Sequence, residues 1–464
     1  MPLSAEEKAE LERFALSTHP FGRMTGVSMA IHAIPDAFLI LHTGVGCKYK
    51  GAGQYCLHDL GRPSHHREGY TEVTDMALIK GSVERIGIYV RNWHKKRKSA
   101  FMAVASSTFL QMTGEDFAAA AAAAESTVPC PVACIPTPGF DGDLYDGYGD
   151  LSKAVLRRVP FKKTPPKPGR VGLVGYVFDR YEMDHAGNLQ QLKFLLESLG
   201  LECGPTLLSG RPYAELMGLA SCERLLALPY ARPYAGELPK LCGRPVTALE
   251  LLPVGMAGTF RWLADAAEAC GVAKSVVEAC VRKQRDYAGP QLDTFRSYAG
   301  PRLEARRTAI FAETPLAAGL TSAAVELGLN PGLVGLRDRS LGGKKAFLAA
   351  LARTGVRAPE DLEILECPSL DQVRTRALGL RDRGALGLVL GSQMELSAIR
   401  SGRAYGEHPL ARSLTVDSVR GRGDALPTVE IGFPSYDYHV LFPTPYYGVA
   451  GTLALAQRIM NVLH

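Results

Sequence analysis

The feature that most constrains this chain is an alternation repeated along its length. A short apolar run of strand length opens into a small or polar loop, and a stretch with helical spacing follows. Phe38–Leu41 runs into His42-Thr-Gly-Val-Gly-Cys47, Ala100–Ala105 into Ser106-Ser-Thr108, and Val128–Ile135 into Thr137-Pro-Gly-Phe140. Apolar runs without a polar alternate fit strands covered on both faces. Strands paired in parallel need a long crossover between them, usually a helix. The pattern therefore predicts an α/β chain with parallel sheets, whose ligands gather at the carboxyl ends of the strands. Cys47, Thr108 and Thr137 all fall at such ends.

Taken in order, residues 4–16 read as a polar helix, and His19-Pro-Phe-Gly22 breaks it before a helix or turn over Met24–Ile34. Tyr49–Leu60 reads as a helix carrying Cys56. Met76, Ile79, Val83 and Ile86 recur at helical spacing and predict one amphipathic stretch. A linker rich in Lys and Pro, Pro160–Gly169, marks a first boundary. Arg170–Val177 restarts the pattern as a strand, and the helix after it presents Leu189, Leu192, Leu195, Leu196 and Leu199 before stopping at Gly200. The loop Pro253–Thr259 suits an anion or a close backbone contact, but no Lys-Ser/Thr pair makes it a phosphate loop. A third unit starts at the strand Thr308–Ala312 and ends its last expected strand, Leu386–Leu390, in Gly391-Ser-Gln-Met-Glu395. The expectation is three Rossmann-like, doubly wound α/β domains over residues 1–165, 166–300 and 301–464.

At 464 residues the chain is too long for one ordinary core. It has no apolar run of the roughly 18 residues a membrane span needs. The start, Met-Pro-Leu-Ser-Ala-Glu-Glu-Lys, lacks the pattern of a secretory signal, so a cytoplasmic setting is expected. The ten cysteines show no two-residue spacing of zinc or redox motifs and read as free thiols. Cys130 and Cys134 flank Pro-Val-Ala on one side of an expected strand, where core packing is their use. The net charge of +6 is spread out, apart from Arg91-Asn-Trp-His-Lys-Lys-Arg-Lys98. That run reads as a solvated turn or a partner-docking surface, with no nucleic-acid role expected.

Gly44 and Gly46 free the turn after Phe38–Leu41 for close approach to a ligand, and Cys47 ends it. A thiolate there either packs the strand end as a small apolar group or holds a soft metal such as iron or zinc. Nine helical steps turn Cys56 to the opposite face from Cys47, so the two should not share one metal.

In order and spacing, these elements resemble nitrogenase component 1 and its relatives over essentially the whole chain. Leu41-His-Thr-Gly-Val-Gly-Cys47 is similar to the family's His-Gly-x-x-Gly-Cys element, and Ser106–Asp116 to its segment with another cluster cysteine followed by Gly-Asp-Asp. Thr137-Pro-Gly-Phe140, Ile431-Gly-Phe-Pro-Ser-Tyr-Asp437 and Tyr447-Gly-Val-Ala-Gly451 are further landmarks, the last two resembling the β-type subunit. The resemblance implies an iron–sulfur cluster at a subunit interface, with Cys47 as metal ligand and Gly44 and Gly46 beside it. The family's first cluster cysteine has no counterpart, since His19-Pro20 stands in that region, and its third aligns with Thr108. A single cysteine suits a four-iron cluster completed by three ligands of the partner. A larger, P-cluster-like cluster would draw on Thr108, Ser107 or His19.

The resemblance further implies an α-type partner subunit in an α2β2 heterotetramer, with the larger iron–sulfur cofactor in that partner. An ATP-dependent iron–sulfur reductase homodimer would feed electrons in. ATP binding would belong to that reductase, because this chain has no Walker A sequence. Loss of two cluster cysteines points away from dinitrogen. The expected reaction is reductive carbon–sulfur cleavage of small methylthio compounds; tetrapyrrole ring reduction and a non-catalytic cofactor-assembly scaffold are the alternatives. The sequence assigns no catalytic residue.

Overall fold

A computed structural model describes residues 21–44, 67–138, 141–401 and 426–463. They form three separate sheets in which every strand pair is parallel. The first has the order β2-β1-β3-β4, from β1 (Ala37–His42), β2 (Glu68–Tyr70), β3 (Phe101–Ser106) and β4 (Val132–Ile135). The second, in the order β6-β5-β7-β8, comprises β5 (Lys167–Val174), β6 (Glu202–Thr206), β7 (Cys222–Ala227) and β8 (Val246–Ala248). The third, β11-β10-β9-β12-β13, comprises β9 (Arg307–Ala312), β10 (Asn330–Leu336), β11 (Glu363–Glu366), β12 (Leu386–Gly391) and β13 (Thr428–Glu430). Each chain path reverses direction across its sheet beside its first strand, which is the doubly wound arrangement.

Burial explains why the strand sequences lack alternation. Every residue of β1, β3 and β12 is buried. Phe38 and Ile40 of β1 meet Met102 and Val104 of β3 in one core, closed by Ile86 and Val90 of helix Glu84–Arg97 and by Ala121 and Ala124 of helix Phe117–Glu125. Covering a sheet on that face and the other is what a parallel topology demands. Cys130 and Cys134 both join this core, as expected, although Cys130 lies just before β4 and only Cys134 within it.

Two local expectations need correction. The amphipathic stretch is two helices, Asp75–Lys80 and Glu84–Arg97, separated at Gly81 with φ +93°. The break puts Met76 and Ile79 in solvent, 57% and 79% exposed, while Ile86 is buried. The basic run is the end of the second helix, with Lys98 left-handed at its C-cap. Cations there complement the helix dipole, and Lys96 lies over the Trp93 ring.

The chain groups into two compact units. One holds Phe21–Tyr181 and Leu201–Ala248, with the first two sheets; the other holds Glu182–Gly200 and the chain from Leu249 on, with the third. Within the first unit the two sheets are tied by polar groups. The Tyr148 hydroxyl donates to the Leu208 carbonyl and accepts from the Phe178 N–H, and Tyr213 N–H donates to Asp36. Of the borders expected from sequence, 165/166 lies in coil just before β5, and 300/301 lies inside helix Lys274–Leu303.

In the second unit the loop Pro253–Thr259 meets both of its expectations at once. Gly255, with φ +76°, starts helix Met256–Cys270, and a Cβ there would stand 3.2 Å from Ala323 of helix Thr314–Glu326. The anion is the chain's own: Glu326 accepts from the Met256 and Ala257 N–H groups at 2.7 and 2.8 Å. Burial pushes the Glu326 carboxyl above the usual range, against the pull of those two N–H groups and Ser322. A raised carboxyl favours folding at low pH, and that contribution is lost as pH climbs through the folded value. Glu326→Gln cannot titrate. Urea unfolding of both proteins should therefore show the variant gaining on the native chain as pH rises from about 4.5 towards neutrality.

Candidate functional site

Because the first sheet is parallel throughout, the carboxyl ends of its strands lie along one edge. β1 delivers His42, Thr43 and Gly44 there, and the chain after Gly44 leads to Gly46 and Cys47. β2 delivers Thr71, β3 delivers Ser107 and Thr108, and β4 delivers Thr137. Register pairs His42 with Ser106, which brings Gly44 and Thr108 to neighbouring strand ends. Cys47, Gly46, His19 and Cys56, with the helices expected over 4–16 and 49–60, lie outside the described residues.

His42 organises the edge, and its part was not read from the sequence. The imidazole is fully buried. Its Nε2 lies 2.9 Å from Ser82 Oγ and its Nδ1 3.0 Å from Thr71 Oγ1. The Ser82 hydroxyl donates to Glu115 at 2.6 Å, so it accepts from Nε2–H. The Thr71 hydroxyl accepts the Thr43 N–H at 3.1 Å and so gives its own proton to Nδ1. One neutral tautomer satisfies the whole chain of bonds. Burial pushes the His42 pKa down to about 4, opposed by Glu115 and aided by Arg85.

Glu115 ends this relay and begins a helix. It accepts from the backbone N–H groups of Ser82 and Val83 at 2.6 and 3.0 Å, just ahead of helix Glu84–Arg97. Burial raises its pKa, but the bonds from Ser82 and Val83 outweigh that and hold the carboxyl below its usual value. The sequence suggested that Gly114-Glu-Asp116 opens the alanine-rich helix. Asp116 does so, accepting from Ala119 N–H at 2.9 Å, while Glu115 turns to the other helix. The signal available was a carboxylate beside one that already supplies the cap.

Two hydroxyls on this edge stay unused. Thr43 Oγ1 and Ser107 Oγ are buried and have no hydrogen-bond partner among the described residues. Thr137, by contrast, is spent, donating to the Ser106 carbonyl at 2.5 Å. Thr108 is half-buried at the start of the short helix Thr108–Gln111. Phe109 after it stands 3.4 Å from where a Gly44 Cβ would be, so no described atom crowds that position closely. The Thr43 and Ser107 hydroxyls thus share the strand-end edge with the bare backbone of Gly44.

A depressed histidine adds stability above its unfolded pKa of 6.5, which is lost as pH falls towards the folded value. His42→Gln keeps a donor for Ser82 and removes the titration. Native stability should fall by about 3 kcal/mol between pH 6.5 and 4 through this group. Urea denaturation across that range should show the variant with the shallower loss.

Comparison with known proteins shows the family to which the chain belongs. The family model described as nitrogenase component 1 type oxidoreductase matches residues 23–401. The β chain of the nitrogenase vanadium-iron protein of Trichormus variabilis is 25% identical over 71% of this chain and 67% of its own length. The β chain of the nitrogenase molybdenum-iron protein of Frankia alni is 25% identical over 85% of this chain and 72% of its own. The structure titled nitrogenase Cp1 at pH 6.5 superposes with a TM-score of 0.73 at 19% identity, covering 96% of this chain and 93% of that one. The chain belongs to the nitrogenase component 1 type oxidoreductase family, as a β-type member.

Proposed function

We propose that this chain is the β-type subunit of a two-component reductase, holding part of an interface iron–sulfur cluster through Cys47 at the carboxyl edge of its first sheet. The observation that carries the reading is the pair of unpartnered buried hydroxyls, Thr43 and Ser107, flanking Gly44 on the edge from which the Cys47 turn departs. These residues fit such a group: a thiolate to ligate iron, hydroxyls to donate to sulfur, and a bare backbone to let the cluster come close. A bound cluster supplies reversible one-electron transfer. The chain's own part is to hold the end of its first strand ahead of Cys47, through the bonds that lock His42, Thr71 and Thr43.

One thiolate leaves coordination for a partner to complete, so the proposal includes an α-type subunit over this edge and an ATP-dependent reductase that feeds it. Support comes from the rim of the edge. Ile79 and Met112 are 79% and 75% exposed, and Met76 and Phe109 join them, an apolar set of the kind that marks interaction surfaces. The substrate proposed is a small methylthio compound rather than dinitrogen, on the loss of two of the three cysteines. A second reading, a cofactor-assembly scaffold, is favoured by partial similarity to the iron-molybdenum cofactor biosynthesis protein NifN of Rhodobacter capsulatus, 27% identical over 38% of this chain. A scaffold would carry iron and turn over no substrate.

Cys47→Ala should leave the assembled complex intact but deplete its iron and abolish reductant-driven turnover of a methylthio substrate, while Cys56→Ala does neither. Iron per complex and turnover, measured side by side, decide it; full iron in Cys47→Ala would overturn the cluster assignment. Thr108→Val distinguishes a strand-end hydroxyl from a ligand. Iron content should stay constant and unfolding stability should change little, since the Thr108 hydroxyl makes no hydrogen bond among the described residues.

A further inference from the structure

A cavity of about 430 Å³ in the second compact unit serves none of the roles above. Its walls come from helices Met256–Cys270, Lys274–Leu303, Thr314–Glu326 and Gly448–Met460. The size lies in the range of pockets that take small organic molecules. Phe260, Leu292, Leu327 and Met256 make the lining largely apolar.

Three features give the cavity a direction and a charge. Helix Lys274–Leu303 turns Arg285, Gly289, Leu292 and Arg296 into it, one stripe at helical spacing. Gly289 is a residue this helix interior would disfavour, by about 1 kcal/mol against alanine. A Cβ there would meet no atom within 4 Å, so the missing side chain widens the slot rather than admitting a neighbour. Arg296 is engaged, pairing with Asp293 at 2.9 Å and donating to the Glu326 carbonyl at 3.1 Å. Arg285 is not: its guanidinium sits 5.6 Å from the Phe260 ring centroid, and no carboxylate among the described residues pairs with it. The Glu326 carboxylate also lines the cavity, with both oxygens given to helix N–H groups, and repels a second anion from its surroundings.

We propose that this cavity binds a small organic monoanion, with its apolar body between Phe260, Leu292 and Leu327 and its carboxylate or sulfonate on Arg285. An anionic head with an apolar body matches one unpaired cation at the edge of an apolar slot, and the widening at Gly289 admits the body. A cation would meet Arg285 and Arg296 together.

The test uses the full chain and a matched pair of probes, 8-anilinonaphthalene-1-sulfonate and its uncharged counterpart N-phenyl-1-naphthylamine. Saturable fluorescence binding of the sulfonate at one site per chain is expected. Arg285→Gln should weaken the sulfonate about fivefold and leave the neutral probe unchanged, the scale of one exposed charge. Gly289→Trp should abolish binding of both by filling the slot, with a melting temperature no lower than that of the native chain. Binding that survives Gly289→Trp, or an Arg285→Gln loss equal for both probes, would overturn the proposal, as would absence of saturable binding in the native chain.

Discussion

Everything in this structure depends on strands that pair in parallel while buried on both faces. Such a strand cannot turn back on its neighbour, so the chain must climb out, form a helix across one face, and re-enter at the same end. The helices then cover the apolar runs that gave the strands away. The same constraint puts the carboxyl end of every strand in a sheet along one edge. His42, Thr71, Ser107 and Thr137 are far apart in the chain and adjacent for that reason alone.

A polar edge at the end of a buried sheet has to satisfy its groups, and the sheets do this differently. In the third sheet, Arg337 after β10 pairs with Glu313 after β9 at 3.0 Å and donates to the Phe433 carbonyl at 2.5 Å. Glu430 at the end of β13 accepts from Ser435, Tyr436 and Asp437, so the Ile431–Asp437 segment wraps a carboxylate. That edge still leaves Thr314 Oγ1 and Gln393 Oε1 without a hydrogen-bond partner among the described residues. The first sheet answers His42 completely and leaves Thr43 and Ser107 open. Leaving a buried hydroxyl unmet costs about 1–3 kcal/mol. Both hydroxyls lie on the edge that holds Gly44, where the cluster proposed above would meet them.

Helix starts show the same economy of charge. Glu115 and Glu326 each bring a carboxylate from a distant segment to the first N–H groups of a helix, one before Glu84–Arg97 and one at Met256–Cys270. Their pKa values move in opposite directions. Glu115, hydrogen-bonded by Ser82 twice and Val83 once, is lowered, whereas burial wins at Glu326. Equal chemistry thus takes its sign from the depth of the site.

The sequence by itself determined the class of fold, the leading strand of each sheet to within a few residues, and the edge at which the first sheet's strand ends collect. Buried parallel strands leave unbroken apolar runs, and Gly200 stops its helix with φ +77°, as a lone residue can announce. It also marked Gly44 and Thr108 as strand-end residues, because a strand end is a local property. What it could not carry was any bond between distant segments. His42 reads as an ordinary residue before a turn until β2 and the segment at Ser82 place Thr71 and Ser82 on its two nitrogens. Met76 and Ile79 read as a buried stripe until Gly81 turns the chain and leaves them in solvent. The anion for the loop at Gly255 had to come from Glu326, 70 residues from Met256, and only packing of the two helices supplies it. Periodicity is written in neighbouring residues, whereas polar partners and exposure are decided by which segments the tertiary fold brings together.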